Sequence, residues 1–329
     1  MKRLIELINK IQFNKPHNEN IFWAPRIITC QKNSEYPGKH PGYTLYAYGG
    51  SVMSLYQVAD DKYSGESFGK KYCEYFLNKE EGETIRKDFE NKIKHGIDFL
   101  ETWDYWEDVL CAMDERGFGE RRRENKIVWN NSAYGSIYEI FDMEANTKIN
   151  DIDKQFDAKA DMMWLSYVEE KPVISFVEYK CTDQAMRAPQ YSLPGHFCKM
   201  VNYYDRPDVK NTVLSLLKRK RMLKDEPEVT FEDFDTEIVF LFSHMNPTRK
   251  PKYDNGVSEG NIKRGLYKMY TQNEEKVKEN KGHIRIAFID DEKSCLKTMI
   301  STTGEEIEDF SSEKAIWDSI YVTPMRKIQ

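Results

Sequence analysis

Residues 156–181 read Phe-Asp-Ala-Lys-Ala-Asp-Met-Met-Trp-Leu-Ser-Tyr-Val-Glu-Glu-Lys-Pro-Val-Ile-Ser-Phe-Val-Glu-Tyr-Lys-Cys, and this stretch decides how the chain folds. Its two apolar runs, 162–168 and 173–177, are short and rich in β-branched and aromatic side chains, which is typical of buried strands. The polar segment 169–172 lies between them. It ends on Pro172, which fits the first position of a strand because no ladder donor is needed there. The stretch therefore predicts a β-hairpin.

Three charged side chains stand at the ends of the predicted strands. Asp161 opens the first strand, and Glu178 and Lys180 share one face at the end of the second, because side chains alternate along a strand. Charges in such apolar surroundings must pair, lose their charge or bind a metal. Two carboxylates can bind a hard divalent cation and leave positions for water and a substrate phosphate. The lysine can then orient or polarise the attacking water.

This pattern resembles the motif of the PD-(D/E)xK nuclease superfamily. The resemblance is carried by Asp161, sixteen intervening residues, and Glu178-Tyr179-Lys180 at the end of an apolar strand. It implies an α/β fold in which helices flank a mixed central sheet, with a restriction-endonuclease-like core of order αβββαβ. It also implies Mg²⁺-dependent hydrolysis of phosphodiester bonds, with Mn²⁺ able to substitute. In such a site Asp161, Glu178 and the Tyr179 carbonyl hold the metal, while Lys180 activates the nucleophile.

The Glu-x-Lys triplet alone carries little information, because 32% of the residues in this chain are charged and such triplets recur. Only the triplet 178–180 lies at the end of a predicted strand that is joined by a tight turn to a preceding strand beginning with an aspartate. Two alternatives stay open. Glu178 and Lys180 can form an ordinary ion pair at the end of a hairpin, and Asp157 can replace Asp161 as the aspartate of the motif.

The segments around the hairpin are assigned to the same core. A helix from about 130 to 145 carries Gly135 and Glu139 on one face. This Gly-x-x-x-Glu helix resembles the first core helix of the family, which implies that Glu139 assists at the metal; Asp142 and Glu144 are its neighbours. The other expected elements are a first strand at 147–156, a helix at 195–204, strands at 237–243 and 283–289, and a short edge strand at 315–322.

Basic and polar side chains are the candidates for substrate contact. The resemblance implies that the segment after Lys180 faces the substrate, and two other clusters can neutralise phosphates in a sequence-independent, salt-sensitive way. Solvated charged surface is the alternative for each cluster. The candidates are Arg187, Gln190 and Lys199 after the motif, Arg121 and Arg122 in a predicted loop, and Lys218 and Arg219 in the basic run 218–221.

The chain is expected to divide into two regions. Residues 1–125 should form a mostly helical region with a role in substrate selection, including a long helical stretch at 84–116 broken near Gly96. Within it, a loop-rich section with Pro16, Pro25, Pro37 and Pro41 should extend to about residue 42, followed by a strand at 43–48 and by a second strand or short helix at 52–58. Residues 126–329 should form the nuclease domain, with an insertion at about 208–235.

Composition bounds the remaining possibilities. A chain of 329 residues with 40% hydrophobic side chains can bury a sizeable core, and its net charge of −6 still allows a local basic groove. Six scattered cysteines without a Cys-x-x-Cys pair argue against a zinc or iron–sulfur centre and suit reduced thiols in the cytoplasm. We find no membrane-length apolar run, signal peptide or P-loop, so we expect a cytoplasmic protein without a membrane partner.

The expected partner is nucleic acid, and family frequency favours DNA over RNA. Two other hypotheses stay open. One is a non-catalytic protein that keeps a nuclease-like scaffold and uses its arginine and lysine clusters to hold nucleic acid or a protein. The other is an enzyme of another class with an incidental hairpin. A homodimer is compatible with the sequence, which does not decide between restriction, defence, phage and repair roles.

Overall fold

The chain is an α/β protein that divides into two compact units. Unit 1 contains residues 1–129 and 216–229, and unit 2 contains residues 130–215 and 230–329. The first boundary therefore follows residue 129 rather than residue 125, and part of the predicted insertion belongs to unit 1. The computed structural model describes residues 1–11, 13, 15–30, 32, 34–67, 78–116, 119–146, 159–183, 186, 192–243, 257–289, 295–307 and 309–322.

Unit 1 is built on a four-stranded antiparallel sheet of order β1-β2-β3-β4. Three helices follow the sheet, and the last two residues of the third lie beyond the unit boundary. The elements are α1 (Lys2–Lys10), α2 (Lys15–Asn18), β1 (Ile21–Cys30), β2 (Gly38–Ala47), β3 (Gly50–Ala59), β4 (Lys62–Ser67), α3 (Lys79–His95), α4 (Trp106–Arg116) and α5 (Gly119–Asn131).

The expectation of a mostly helical first region is wrong for residues 21–67, which form the sheet. The prolines of this segment indicate a loop, but two of them lie in strands. Pro25 lies on the edge strand β1, and Pro41 lies in the part of β2 that pairs only with β1, so neither interrupts a ladder on both sides. The predicted helical break near Gly96 is confirmed, because α3 ends at His95.

Aromatic side chains fill the core of unit 1. Phe89 of α3 and Trp106 of α4 both pack against Trp103, with ring centroids 5.5 and 5.0 Å away respectively. All three are buried, together with Leu45 and Leu55 of the sheet. The aromatic stripe of this region is therefore core, as its helical spacing indicates.

Unit 2 is built on a six-stranded mixed sheet of order β10-β9-β8-β7-β6-β5. Strands β5, β6 and β7 are antiparallel, β7, β8 and β9 are parallel, and β10 is antiparallel to β9. None of the described helices is long and apolar enough to cross a bilayer. The elements are β5 (Glu139–Asn146), β6 (Lys159–Val168), β7 (Lys171–Lys180), α6 (Leu193–Met200), α7 (Pro207–Leu223), β8 (Asp235–Ser243), α8 (Glu259–Gln272), α9 (Glu274–Glu279), β9 (Ile284–Ile289), β10 (Ile300–Thr303) and α10 (Glu313–Val322). Helix α7 begins in unit 2, and its residues from 216 onward belong to unit 1.

Two predicted elements of unit 2 are wrong. Residues 139–146 are strand β5 rather than the end of a helix, and Gly135 has a φ of +77°, which no α-helix accommodates. A register shift in β5 leaves the adjacent Ile140 and Phe141 both fully buried, so the alternation that identifies a strand is absent there. Residues 313–322 form helix α10, and β10 is the edge strand. The strand expected at 147–156 lies outside the described residues.

The predicted hairpin is confirmed, with a turn shorter than expected. Strand β7 begins at Lys171, and Pro172 lies opposite Tyr167. The two turn residues, Glu169 and Glu170, have φ angles of +49° and +68°. Two left-handed residues in a two-residue loop match the twist of antiparallel strands, which is the geometry of a type I′ turn.

We expect Glu170→Gly to stabilise the protein by about 0.5–1 kcal/mol. A side chain in the left-handed region costs about 1–2 kcal/mol, and glycine loses about 0.5–1 kcal/mol of additional backbone entropy on folding. Glu170→Ala is the matched control, because it keeps the Cβ atom and should give no gain. Denaturant titration measures both free energies of unfolding, and an equal change in the two variants would refute strain at this turn.

Candidate active site

The two predicted acids lie opposite each other on neighbouring strands. Met162 of β6 pairs with Val177 of β7, and continuing this antiparallel register places Asp161 opposite Glu178. Side chains of opposed residues project from the same face, with Cβ atoms about 4.5–5.5 Å apart. Asp161 also accepts a hydrogen bond at its Oδ2 from the backbone N–H of Tyr179, at 2.8 Å. The hairpin therefore brings the acids of the motif together.

Glu178 is fully buried between the Lys180 ammonium and the His196 imidazole. Its Oε1 forms an ion pair with the Lys180 ammonium, and its Oε2 lies 2.7 Å from Nδ1 of His196. Neither oxygen accepts a hydrogen bond of good geometry within the described part of the chain, so both contacts are electrostatic. Burial alone would raise the pKa of Glu178, but Lys180 and His196 outweigh it and hold that pKa below its usual value.

Lys180 completes the motif on the same face of β7, two positions beyond Glu178, and is itself buried. The ion pair between the two is present. Such a pair is expected both of a nuclease site without its metal and of an ordinary hairpin, so it does not separate these alternatives.

His196 is a further member of the site. From the sequence it is expected to flank the core, as a substrate contact or, preferably, as a structural histidine. Helix α6 carries Pro194 in its first turn and buries Leu193, Phe197 and Met200, which seats the helix and directs His196 at Glu178. Its Nε2 is buried and makes no hydrogen bond with a described residue. The sequence gives no signal for this contact, because the rotation of α6 relative to the sheet is set by tertiary packing.

Glu139 does not lie with the other acids, and its predicted place on a helix is wrong. It opens β5 opposite Leu165, four positions along β6 from Asp161, which corresponds to roughly 13 Å along the strand. The register between Met143 and Ala145 places residue 144 opposite Asp161 instead.

Asp142 is a second acid that is closer to the motif than Glu139. It pairs with Met163, so it projects from the same face as Asp161, and it is 1% exposed. Asp142 is therefore a described β5 position from which a third acid can approach the pair.

The predicted substrate contacts have different placements. Lys199 is exposed in the last turn of α6, one turn beyond His196. Arg122 is exposed on α5, pairs with Asp114 and lies over the ring of Tyr48. Lys218 is exposed on α7. Arg187 and Gln190 lie outside the described residues, and the structure does not describe the side chain of Arg121.

Arg219 is a correction to the predicted basic surface. Its side chain is 8% exposed, and its Nη1 donates a hydrogen bond of 2.7 Å to the carbonyl of Arg26. The adjacent Lys220 is also buried, donates to the carbonyl of Trp23 at 3.1 Å and lies over the ring of Phe22. These two basic side chains therefore attach α7 to β1 within unit 1 and are not available to a phosphate, whereas Lys218 is.

The donor set at the hairpin suits a hard cation. Mg²⁺ is usually held by one or two carboxylates together with water and substrate phosphate, and Asp161 and Glu178 supply such a pair. In the described ranges, no third histidine, cysteine or acid completes a three-ligand group with them. The site therefore fits a cation that retains several waters better than one enclosed by protein ligands.

No family model, curated protein or solved structure matches this chain. Its functional interpretation therefore depends on the residues and geometry of the hairpin site.

Proposed function

We propose that the chain is a metal-dependent nuclease of the PD-(D/E)xK type, which hydrolyses phosphodiester bonds with DNA as the favoured substrate. The observation that carries this proposal is the pairing of Asp161 with Glu178 on the face that also holds Lys180. The order of elements in unit 2 supports part of it, because the antiparallel strands β5–β7, helix α6 and the parallel strand β8 follow the order βββαβ, with α7 as an additional helix between α6 and β8.

The carboxylates fit a divalent metal in their chemistry. The oxygens of Glu178 are not committed to aligned hydrogen bonds with described residues, and Asp161 stands beside it across the strand pair. When bound there, Mg²⁺ would supply Lewis acidity to the phosphoryl group and make its water a better nucleophile. The Tyr179 carbonyl remains a predicted further ligand.

Lys180 has two successive tasks in this proposal. Without metal it provides the positive charge that a buried carboxylate requires. With substrate bound, the Lys180 ammonium would hold the attacking water and stabilise the charge that develops on the phosphate. Water then adds to phosphorus and releases one proton to the solvent, the bond to the leaving sugar oxygen breaks, and that oxygen takes up one proton from the solvent.

Lys199 is the described side chain best placed to meet the substrate backbone near this site. It is exposed, and it follows His196 by three residues on α6, so both lie on neighbouring parts of one helix surface. An ammonium at that position would contact phosphate without reading the base sequence.

A second candidate function is the non-catalytic scaffold. The observation that favours it is the complete burial of Glu178 between Lys180 and His196, which already compensates its charge without a metal. In this alternative the three side chains form a structural ion cluster, and nucleic acid or protein is bound elsewhere.

The two candidates are separated by cleavage assays of the full chain. Supercoiled, linear and single-stranded DNA and single-stranded RNA are incubated with Mg²⁺, with Mn²⁺ or with EDTA. The nuclease proposal predicts cleavage of at least one substrate in either metal and none in EDTA. Binding without cleavage in both metals would support the scaffold instead.

A further inference from the structure

A second group of potential metal ligands lies in unit 1, apart from the hairpin residues. His17 of α2 directs its Nε2 at two side chains of α4. The oxygen Oε2 of Glu107 lies 3.2 Å from this nitrogen, and the Sγ of Cys111 lies 3.7 Å from it. Glu107 and Cys111 are four residues apart and so share one face of α4. One ligand atom from each of the three residues lies within 4.8 Å of the others.

These separations match the edges of a tetrahedron around zinc. With Zn–N and Zn–O lengths of about 2.0–2.2 Å and a Zn–S length of about 2.3 Å, tetrahedral geometry places nitrogen and oxygen roughly 3.3 Å apart and nitrogen and sulfur roughly 3.6 Å apart. The distances from His17 are 3.2 Å and 3.7 Å. The two separations from His17 therefore fit one ion, and the third pair of ligand atoms, on Glu107 and Cys111, lies within 4.8 Å.

The histidine is held by a second group, as metal-binding histidines usually are. Its Nδ1 lies 2.7 Å from the hydroxyl of Tyr48, which fixes the ring with Nε2 towards α4. Tyr48 has a φ of +50°, and its backbone N–H donates to the carbonyl of Asn20. His17 itself is 7% exposed, so its orientation is set by packing as well.

We propose that His17, Glu107 and Cys111 form a binding site for a divalent transition metal of borderline softness, with Zn²⁺ as the preferred ion. An imidazole, a thiolate and a carboxylate together suit Zn²⁺, whereas Mg²⁺ prefers oxygen ligands alone. This proposal departs from the expectation that scattered cysteines disfavour zinc. The ligand group escapes a search by sequence spacing, because its histidine lies 90 residues earlier in the chain than Glu107.

The surroundings of the cluster leave a fourth coordination position for water. Cys111 is exposed, and it lines a cavity of about 770 Å³ between the start of α3 and α4. The side chain of Glu107 is 43% exposed. Three protein ligands with one position open to solvent is the pattern of zinc sites that exchange a ligand.

Charge also favours a cation at this position. Helix α4 carries four acids beside the thiol, and its cysteine must lose a proton when it binds the metal. Binding therefore transfers one proton from Sγ of Cys111 to the buffer and leaves a thiolate–metal bond. The four acids are Glu107, Asp108, Asp114 and Glu115.

Co²⁺ provides a spectroscopic test, because a tetrahedral thiolate complex absorbs strongly in the visible and gives a sulfur-to-metal charge-transfer band. We expect the full chain to bind one equivalent of Co²⁺ with both features and to release it to Zn²⁺. Cys111→Ser should remove the charge-transfer band. His17→Gln and Glu107→Gln should each weaken binding at least about tenfold.

Two further variants keep this test decisive. Cys198→Ser is the matched control, since Cys198 lies on α6 in unit 2 and its loss should leave the Co²⁺ spectrum unchanged. Tyr48→Phe retains the ligands and removes the hydroxyl on Nδ1, so it should weaken binding about 10- to 100-fold. Absence of the spectrum, or its persistence in Cys111→Ser, overturns the proposal. No readout involves cleavage, so the result is independent of the proposed nuclease function.

Discussion

Glu178→Gln should abolish metal-dependent cleavage, lowering its rate by at least about 10³-fold, while the protein stays folded. The substitution preserves the side-chain volume and removes the charge that holds the metal. Metal coordination contributes several kcal/mol to such reactions, and each 1.36 kcal/mol of transition-state stabilisation corresponds to a factor of ten. Initial rates in Mg²⁺ and Mn²⁺ measure the loss.

Glu237→Gln is the matched control for this variant. Glu237 is a second buried glutamate of the same sheet, and it accepts a hydrogen bond of 2.6 Å from Ser175 and pairs with Arg285 at 2.9 Å. The register of β7 with β8 places it on the opposite face from Glu178. Its loss should reduce stability and leave cleavage within a few-fold of wild type. Similar cleavage by both variants would contradict a catalytic role for Glu178.

Lys180→Met should destabilise the metal-free protein by about 3–5 kcal/mol at about pH 8, because it removes one partner of a buried ion pair. It should also remove cleavage, since no other described cation stands on the strand face beside the two acids. His196 remains near Glu178 and limits the damage, so the loss of stability should lie towards the lower end of this range.

The pH dependence of this loss has a defined sign. In the wild type the pKa of Glu178 is held low, so its contribution to stability is present above the unfolded-state pKa and is lost as pH falls through the folded-state value. Without Lys180, burial dominates and raises that pKa, so stability is lost as pH rises instead. Denaturant titrations in EDTA at about pH 5 and about pH 8 should show a smaller difference between variant and wild type at the lower pH. A larger difference at the lower pH would refute the charge pairing.

The hairpin could be predicted because its sequence contains all the required signals. Two apolar runs, a polar turn and charged strand ends specify two strands and their connection locally. The opposition of Asp161 and Glu178 follows from the turn length, which fixes the register of the two strands. The turn itself has an atypical sequence, because Glu169 and Glu170 adopt a conformation usually taken by asparagine and glycine.

The sheet of unit 1 could be predicted only in part. The strand expected at 43–48 lies largely in β2, and the segment 52–58, left open between a strand and a short helix, lies in β3, but β1 and the first half of β2 were expected as loop. Pro25 and Pro41 are turn signals in isolation, and they are tolerated only because one side of each strand is unpaired at that point. That condition depends on strand order, which local sequence does not state. In β5 the register shift near Asp142 likewise hides a strand, and the spacing of Gly135 and Glu139 then imitates a helix.

The contacts made by distant residues were also beyond sequence reasoning. Lys220 and Arg219 have the composition of a phosphate-binding surface, yet tertiary packing buries them under carbonyl groups of β1. His196 reaches Glu178, and His17 reaches Cys111, through helix orientations that no local spacing encodes. The sequence therefore predicts the hairpin and its charged residues, whereas the tertiary structure determines which other charged side chains lie beside them.

A crystal soaked in Mn²⁺ shows whether Asp161 and Glu178 share a cation beside Lys180. Anomalous scattering at the manganese edge locates the ion without reference to activity. The proposal predicts a peak within coordinating distance of carboxylate oxygens from both acids, with Lys180 Nζ displaced from Glu178. Absence of a peak there, with Glu178 still paired with Lys180 and His196, would contradict the nuclease assignment.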